Sequence, residues 1–163
     1  MNTSLRAFQN PIKFIDLFCG VGGFHQAMIK INPENKCVFA CDIDKNCREV
    51  YENNYNITPY PDITKLKTED IPDFDVLCGG FPCQAFSHSG KQLGFEDTRG
   101  TLFRDIVRIL KDKRPKYFIL ENVKGILNMG GYDTELDKKN KTGRIVKNIL
   151  EDLKMCGYKV QHK

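Results

Sequence analysis

The stretch "IKFIDLFCGVGGF", Ile12 to Phe24, decides how the rest of the chain is read. Its first seven residues form a short apolar run, the pattern of a strand buried on both faces. The run leads into Gly20, Gly22 and Gly23, where the backbone can turn sharply and approach a neighbour with no Cβ in the way. Beyond the turn, Phe24, Ala27, Met28 and Ile31 recur at helical spacing and predict one apolar helix face. Strand, glycine turn and helix in succession open a parallel α/β sheet.

The same alternation continues outward. "KCVFACD" (Lys36 to Asp42) reads as a second strand, and Asp44 can cap a helix whose inner face is Cys47, Val50, Tyr51 and Asn54. A brief third strand ends near Asp62, bracketed by Pro59 and Pro61. "FDVLCGG" (Phe74 to Gly80) is a fourth strand and "KYFILEN" (Lys116 to Asn122) a fifth. Between them Leu102, Phe103, Ile106, Val107 and Leu110 mark an amphipathic helix. Residues 127–141 read as an exposed loop. A last helix, capped by Thr142, buries Ile145, Val146, Ile149, Leu150 and Leu153, with Gly157 at its C-terminal cap. "YKVQHK" begins another strand. Right-handed crossovers then give a mostly parallel Rossmann-like sheet with helices on both faces. The expectation is one domain over 1–163 whose last element is unfinished.

Composition bounds the function. With 163 residues, 40% apolar and 28% charged, the chain fits one soluble globular domain and not a disordered segment. A net charge of +4 permits contact with a polyanion without arguing for one. No signal-like opening and no membrane-length apolar run is present. Seven cysteines, irregularly spaced, point to reduced thiols in a cytoplasm. Cys37, Cys41 and Cys47 lack the paired spacing of a zinc site, so no metal is expected.

In doubly wound sheets ligands bind beyond the carboxyl ends of the strands. An acidic residue about 20 positions after such a glycine turn commonly bonds ribose hydroxyls, and Asp42 stands 22 positions after Gly20. The same residues also read as an ordinary strand-to-helix turn followed by a capping aspartate. The spacing does not fit G-x-G-x-x-G, because the position three after Gly22 is His25. That disfavours a pyrophosphate. With Asp62 beyond the third strand, where an adenine edge is in reach, S-adenosylmethionine is preferred over NAD.

Cys83 follows the fourth strand, the neighbour of the first in the usual order. Pro82 fixes its own φ and biases Phe81 toward extended geometry, which holds the thiol at a defined angle. A thiol attacks as its thiolate, and a helix start or Arg99 can supply the electropositive setting. Glu121 ends the neighbouring fifth strand; a carboxyl group buried there holds a proton more tightly and can donate it, or it is a structural cap. Cysteine, carboxylic acid and methyl donor together suit methylation of cytosine at carbon 5. The glycine-containing segment Ser87 to Gly100 suits a lid over a flipped base.

"FIDLFCGVGGF", "DVLCGGFPCQAFSHSGKQLGFEDTRGTLF" and "ENVKGIL", in that order between Lys13 and Leu127, resemble consecutive signature motifs of the bacterial DNA (cytosine-5) methyltransferases. The resemblance implies an S-adenosylmethionine-dependent methyltransferase fold, duplex DNA as substrate and a place in restriction–modification. By position it makes Cys83 the nucleophile and Glu121 the acid. It assigns Phe18, Gly20 and Gly23 to the cofactor turn, Asp42 to the ribose, Ile43 to the adenine face, and Asp62 and Ile63 to the adenine. Gly80, Pro82 and Leu102 complete the cofactor wall, and Asn122 helps hold Pro82. Ser87 and Ser89 match positions that touch DNA around the flipped base, with His88 a solvated loop residue between them. Residues 130–141 look like an insertion without an assigned role.

The family's later motifs, an arginine block, a target-recognition region and a closing helix, have no counterpart in this sequence. A complementing C-terminal polypeptide or a longer parent chain is therefore expected to complete the enzyme. The alternatives are a tRNA cytosine-5 methyltransferase and a non-catalytic cofactor- or nucleic-acid-binding fragment. An NAD-dependent oxidoreductase leaves the Pro-Cys-Gln block without a role.

Overall fold

Lys13–Leu17 forms strand β1, and every side chain after Lys13 is buried. In the computed structural model residues 10–82 and 101–162 are described. They divide into two compact units, residues 10–81 with Lys113–Glu121 and, separately, Pro82 with 101–112 and 122–162.

The first unit is built on β1. It lies between β2 (Lys36–Cys41) and β3 (Val76–Gly80), and β4 (Tyr117–Glu121) pairs with β3, so the order is β2-β1-β3-β4. All three ladders are parallel, as the strand–helix alternation predicts. β1 and β3 are the inner strands, and Phe14, Ile15, Leu17, Val76 and Leu77 are fully buried. Each such side chain contributes about 1.5–3 kcal/mol relative to exposure. Leu17 stands opposite Cys41 and Gly79, and Gly80 opposite Glu121. The register therefore brings the carboxyl ends of all four strands to one end of the sheet.

Helix α1 (Gly23–Ile31) follows the glycine turn, and α2 (Lys45–Tyr55) follows β2. Asp44 caps α2 as expected, its Oδ1 accepting from the N–H groups of Asn46 at 2.7 Å and Cys47 at 3.1 Å. The buried faces of both helices are rotated from the predicted ones. In α1 it is His25 and Met28 that are buried, while Ala27 and Ile31 are exposed. In α2 Tyr51 is buried, and Val50 and Asn54 are exposed. The cause is a polar aromatic cluster that apolar periodicity does not register: Tyr51 pairs with His25 and draws both residues inward.

The expected third strand is a correction. It shrinks to one bridge, Cys41 to Tyr60. Tyr60 donates to the carbonyl of Ala40 at 2.8 Å and accepts from the N–H of Asp42 at 3.0 Å. Pro59 and Pro61 have no N–H to extend the ladder in either direction.

In the second unit, α3 (Thr101–Lys113, whose last residue belongs to the first unit) buries Phe103, Ile106, Ile109 and Leu110. A 3-10 turn, Lys124–Asn128, leads into residues expected to be a loop, which instead include the short helix α4 (Glu135–Lys139). Thr134 and Asp137 form a reciprocal capping box at its start. Helix α5 (Arg144–Met155) buries Val146 and Leu153. Its N-cap is Gly143 and not Thr142, whose hydroxyl donates to the carbonyl of Asn140. A Cβ at 143 would meet the carbonyl oxygen of Met129 at 2.7 Å, so only glycine fits. Gly157, at φ +91°, ends the helix as expected. Tyr158 to His162 form no strand, which is a further correction: a strand is defined by its ladder partner, and no described strand pairs with them.

Candidate active site

The turn after β1 is strained where a ligand would meet it. Phe18 has φ +55°, a left-handed conformation uncommon for a bulky side chain. Gly20 and Gly22 follow at +52° and +97°. The Gly20 N–H donates to Asp42 Oδ2 at 2.7 Å, and the Cys19 N–H to the carbonyl of Cys41 at 3.0 Å. The turn is thereby tied to the end of β2. Among the described residues a Cβ at Gly20 or at Gly23 would find nothing within 4 Å, whereas one at Gly22 would lie 2.3 Å from the ring of Tyr55. The turn is therefore packed by Tyr55 at Gly22, while the Cβ positions of Gly20 and Gly23 meet none of the described residues.

Asp42 also accepts from the N–H of Asp44 at 2.9 Å, so each of its oxygens holds one backbone donor and keeps a further acceptor lone pair. Ile43 beside it is 76% exposed, an apolar side chain available to a flat ring. Arg48 Nη1 donates to the carbonyls of Asp42 at 3.0 Å and Ile43 at 2.7 Å and fixes the backbone of this corner. Asp62 caps the 3-10 turn Ile63–Lys65, its Oδ1 taking the Thr64 hydroxyl at 2.7 Å and the Thr64 N–H at 3.0 Å. Those bonds hold its carboxyl below the usual aspartate range. Ile63 is only 4% exposed and backs this corner from the core.

Gly80 and Glu121 face each other across the β3–β4 ladder, with Glu121 Oε2 3.4 Å from the position of a Gly80 Cβ. Glu121 is exposed, not buried as expected, because it is the last residue of β4, the outermost strand of the described sheet. Its register position opposite Gly80, at the carboxyl end of the sheet, is what the structure establishes for it. Pro82, Leu102 and Asn122 belong to the second unit, so the structure relates none of them to the turn. Cys83, Ser87, His88, Ser89 and Arg99 lie outside the described residues.

Six of the seven cysteines lie among the described residues, and no two of them form a disulfide. Burial pushes the thiol of Cys37 up to about 11 and that of Cys78 up to about 12, and raises Cys19 further still. Such thiols are inert packing groups at neutral pH. No three His, Cys, Asp or Glu residues among those described are grouped to hold a metal. Among the same residues no helix is long and apolar enough to cross a membrane.

Sequence reasoning missed the groups beneath the turn. Asp16 is fully buried; its Oδ2 accepts from the Tyr51 hydroxyl at 3.4 Å, and its Oδ1 has no hydrogen-bond partner among the described residues. Burial is the largest effect on this carboxyl and pushes its pKa up to about 7. The Tyr51 hydroxyl lies 2.7 Å from His25 Nδ1. A charged residue inside an apolar strand pattern was the available signal for Asp16, and the i, i+4 spacing of Tyr51 and Tyr55 was the signal for the ring cluster.

A parallel α/β sheet with a glycine turn at its central strand and acids at two neighbouring chain corners defines the Rossmann-like S-adenosylmethionine-dependent methyltransferase fold. Solved structures agree with it. Spodoptera frugiperda DNMT2 aligns over 88% of this chain and 41% of its own, with a TM-score of 0.62 and 26% identity. The S. pombe Dnmt2 methyltransferase aligns over 80% of this chain and 41% of its own, at 0.61 and 25%. The model of the C-5 cytosine-specific DNA methylase family matches residues 12–163, and the chain belongs to that family. It is 54% identical over 157 residues to the Type II methyltransferase M.NlaIV of Neisseria lactamica, covering 93% of this chain and 36% of that protein. It is 49% identical over 142 residues to the Type II methyltransferase M.HhaI of Haemophilus parahaemolyticus, covering 87% and 40%. The chain thus spans well under half the length of these relatives.

Proposed function

We propose that this chain is the cofactor-binding and nucleophile-bearing part of a DNA cytosine-5 methyltransferase of a restriction–modification system. It acts on a cytosine turned out of duplex DNA in a reducing, cytoplasmic compartment, completed by a C-terminal polypeptide or a longer parent chain. The observation that carries this reading is the convergence at one end of the sheet. The half-open glycine turn, Asp42 and the Gly80–Glu121 pair meet there, and Cys83 follows Gly80 by three residues.

S-adenosylmethionine supplies an electrophilic methyl group on a sulfonium. The open faces of Gly20 and Gly23 fit a ligand approaching close to the backbone, the spare lone pairs of Asp42 fit ribose hydroxyls, and Ile43 fits the adenine face. Asp62, with Ile63 behind it, borders the adenine, and the motif positions of Phe18, Pro82 and Leu102 assign these residues to the same cofactor.

Cys83 acts as the nucleophile because carbon 5 of cytosine is otherwise too electron-poor to be methylated. Its thiolate adds to carbon 6, and Glu121 gives a proton to ring nitrogen 3. The displaced electron pair reaches carbon 5, which takes the methyl group. Loss of the carbon 5 proton to a base then expels the thiolate, and ring nitrogen 3 returns its proton to Glu121 as the ring is restored. Turning the base out costs roughly a few kcal/mol, which Ser87, Ser89 and Asn122 help to offset by holding the DNA loop and Pro82.

The test is a tritium-transfer assay on duplex DNA with the chain plus the C-terminal half of a relative. Label should enter carbon 5 of cytosine and vanish with Cys83→Ser. Transfer to tRNA and not DNA, or no S-adenosylmethionine binding at all, would replace this reading.

A further inference from the structure

The glycine turn owes its shape to a second element. Tyr55 ends α2, and its ring lies where a Gly22 side chain would be: an ideal Cβ there falls 2.3 Å from Cε2, 2.6 Å from the hydroxyl oxygen and 2.7 Å from Cζ. The Tyr55 hydroxyl reaches the carbonyls of Val21 and Gly22, each at 3.4 Å, and accepts from Gln26 Nε2 at 3.2 Å. Bonds of that length are weak, so the packed ring does most of the positioning.

The ring is itself held from behind. His25 stacks on it at 3.9 Å with planes 12° apart, and Tyr51 meets it edge-on at 4.7 Å. Tyr51 is bonded to His25 and to Asp16 in the middle of β1. A path of packed groups therefore runs from the sheet through three rings to Gly22 of the turn.

We propose that Tyr55 is a positioning residue that sets the turn at 18–23 in its ligand-receptive shape, with His25 and Tyr51 holding the ring in place. This rests on the reading of that turn as the cofactor site. It implies that glycine is needed at 22 for two separate reasons, the positive φ and the ring.

Two readouts on the purified chain test it. The first is amide hydrogen exchange of Gly20 and Gly22 without ligand, since their N–H groups are bonded to Asp42 and to the Cys19 carbonyl. The second is calorimetric titration with S-adenosylmethionine below the melting transition. Tyr55→Phe should match the native chain within about threefold. Tyr55→Ala should speed exchange at both amides and weaken binding at least tenfold. Gly22→Ala should weaken it likewise, and Gly22→Ala with Tyr55→Ala should bind better than Gly22→Ala alone, because the clash is gone. If Tyr55→Ala does not fold, Tyr55→Leu, which keeps volume but not the stack, takes its place with the same expectations.

Native exchange and affinity in the Tyr55→Ala or Tyr55→Leu chain would overturn the proposal, as would a double variant no better than Gly22→Ala. A native chain that binds no S-adenosylmethionine would overturn the cofactor reading instead, and the exchange data would still judge Tyr55.

Discussion

The backbone N–H of Gly20 donates to Asp42 Oδ2 over 2.7 Å, joining the first turn to the end of the second strand across 22 residues of sequence. Asp42 is thus a strut for the turn. Its second oxygen holds the Asp44 N–H and through it the approach to α2.

Replacing Asp42 should therefore affect stability and binding together. Asp42→Ala leaves two backbone donors without their acceptor, and loss of charge-assisted bonds of this kind costs about 1.5–3 kcal/mol. Asp42→Asn keeps one oxygen and should fall between. Thermal melts and calorimetric titration with S-adenosylmethionine check this, and a fully stable Asp42→Ala chain would show that the strut is idle.

Gly23 makes the opposite prediction. It has an ordinary φ and open space around it, at the first position of α1. Gly23→Ala should leave the melting temperature unchanged or raise it, since alanine favours a helix by up to about 1 kcal/mol over glycine. The added methyl group projects into the proposed ligand space and should weaken S-adenosylmethionine binding at least tenfold. Unchanged affinity would place the ligand elsewhere.

Asp16 carries a pH dependence. Burial raises its folded pKa from 3.8 to about 7, so the native state holds a proton that the unfolded chain has released. Its contribution to stability is complete below about pH 4 and is lost as pH rises toward 7, on the order of 4 kcal/mol in full. Burial lowers the pKa of His25, which adds an opposite trend below about pH 6.5. The comparison must therefore be with Asp16→Asn, which keeps the shape without the titration. The variant's stability relative to the native chain should increase between pH 5 and 8 in denaturant melts; a constant difference would mean that Asp16 does not titrate in that range.

The parallel sheet was legible because buried strands and amphipathic helices announce themselves by apolar spacing, and Gly20, Asp42 and Asp44 by turn and cap chemistry. The rotation of α1 and α2 was not legible. Tyr51 was expected on the inner face of α2, but His25 and Asp16, which are hydrogen-bonded to it and buried with it, each read alone as a surface or boundary residue. The third strand failed for a local reason that the sequence did contain, two prolines around Tyr60 that leave room for a single bridge. The strand that ends at Glu121 was correctly expected beside the one that precedes Cys83, but Glu121 was expected to be buried, which no strand pattern can decide for a residue at the end of an outer strand.

The central claim is that Cys83, carried just beyond β3, attacks a cytosine, and one experiment tests it most directly. The chain, assembled with the C-terminal half of a relative, is incubated with S-adenosylmethionine and duplex DNA in which 5-fluorocytosine replaces cytosine, then resolved under denaturing conditions. Fluorine at carbon 5 blocks the final elimination, so a stable protein–DNA adduct should accumulate and map to Cys83. It should be absent with Cys83→Ser and form at least a hundredfold more slowly with Glu121→Gln, while transfer to ordinary duplex DNA shows that the assembly is active. An adduct that persists in Cys83→Ser, or active methylation with no adduct at all, would contradict the account.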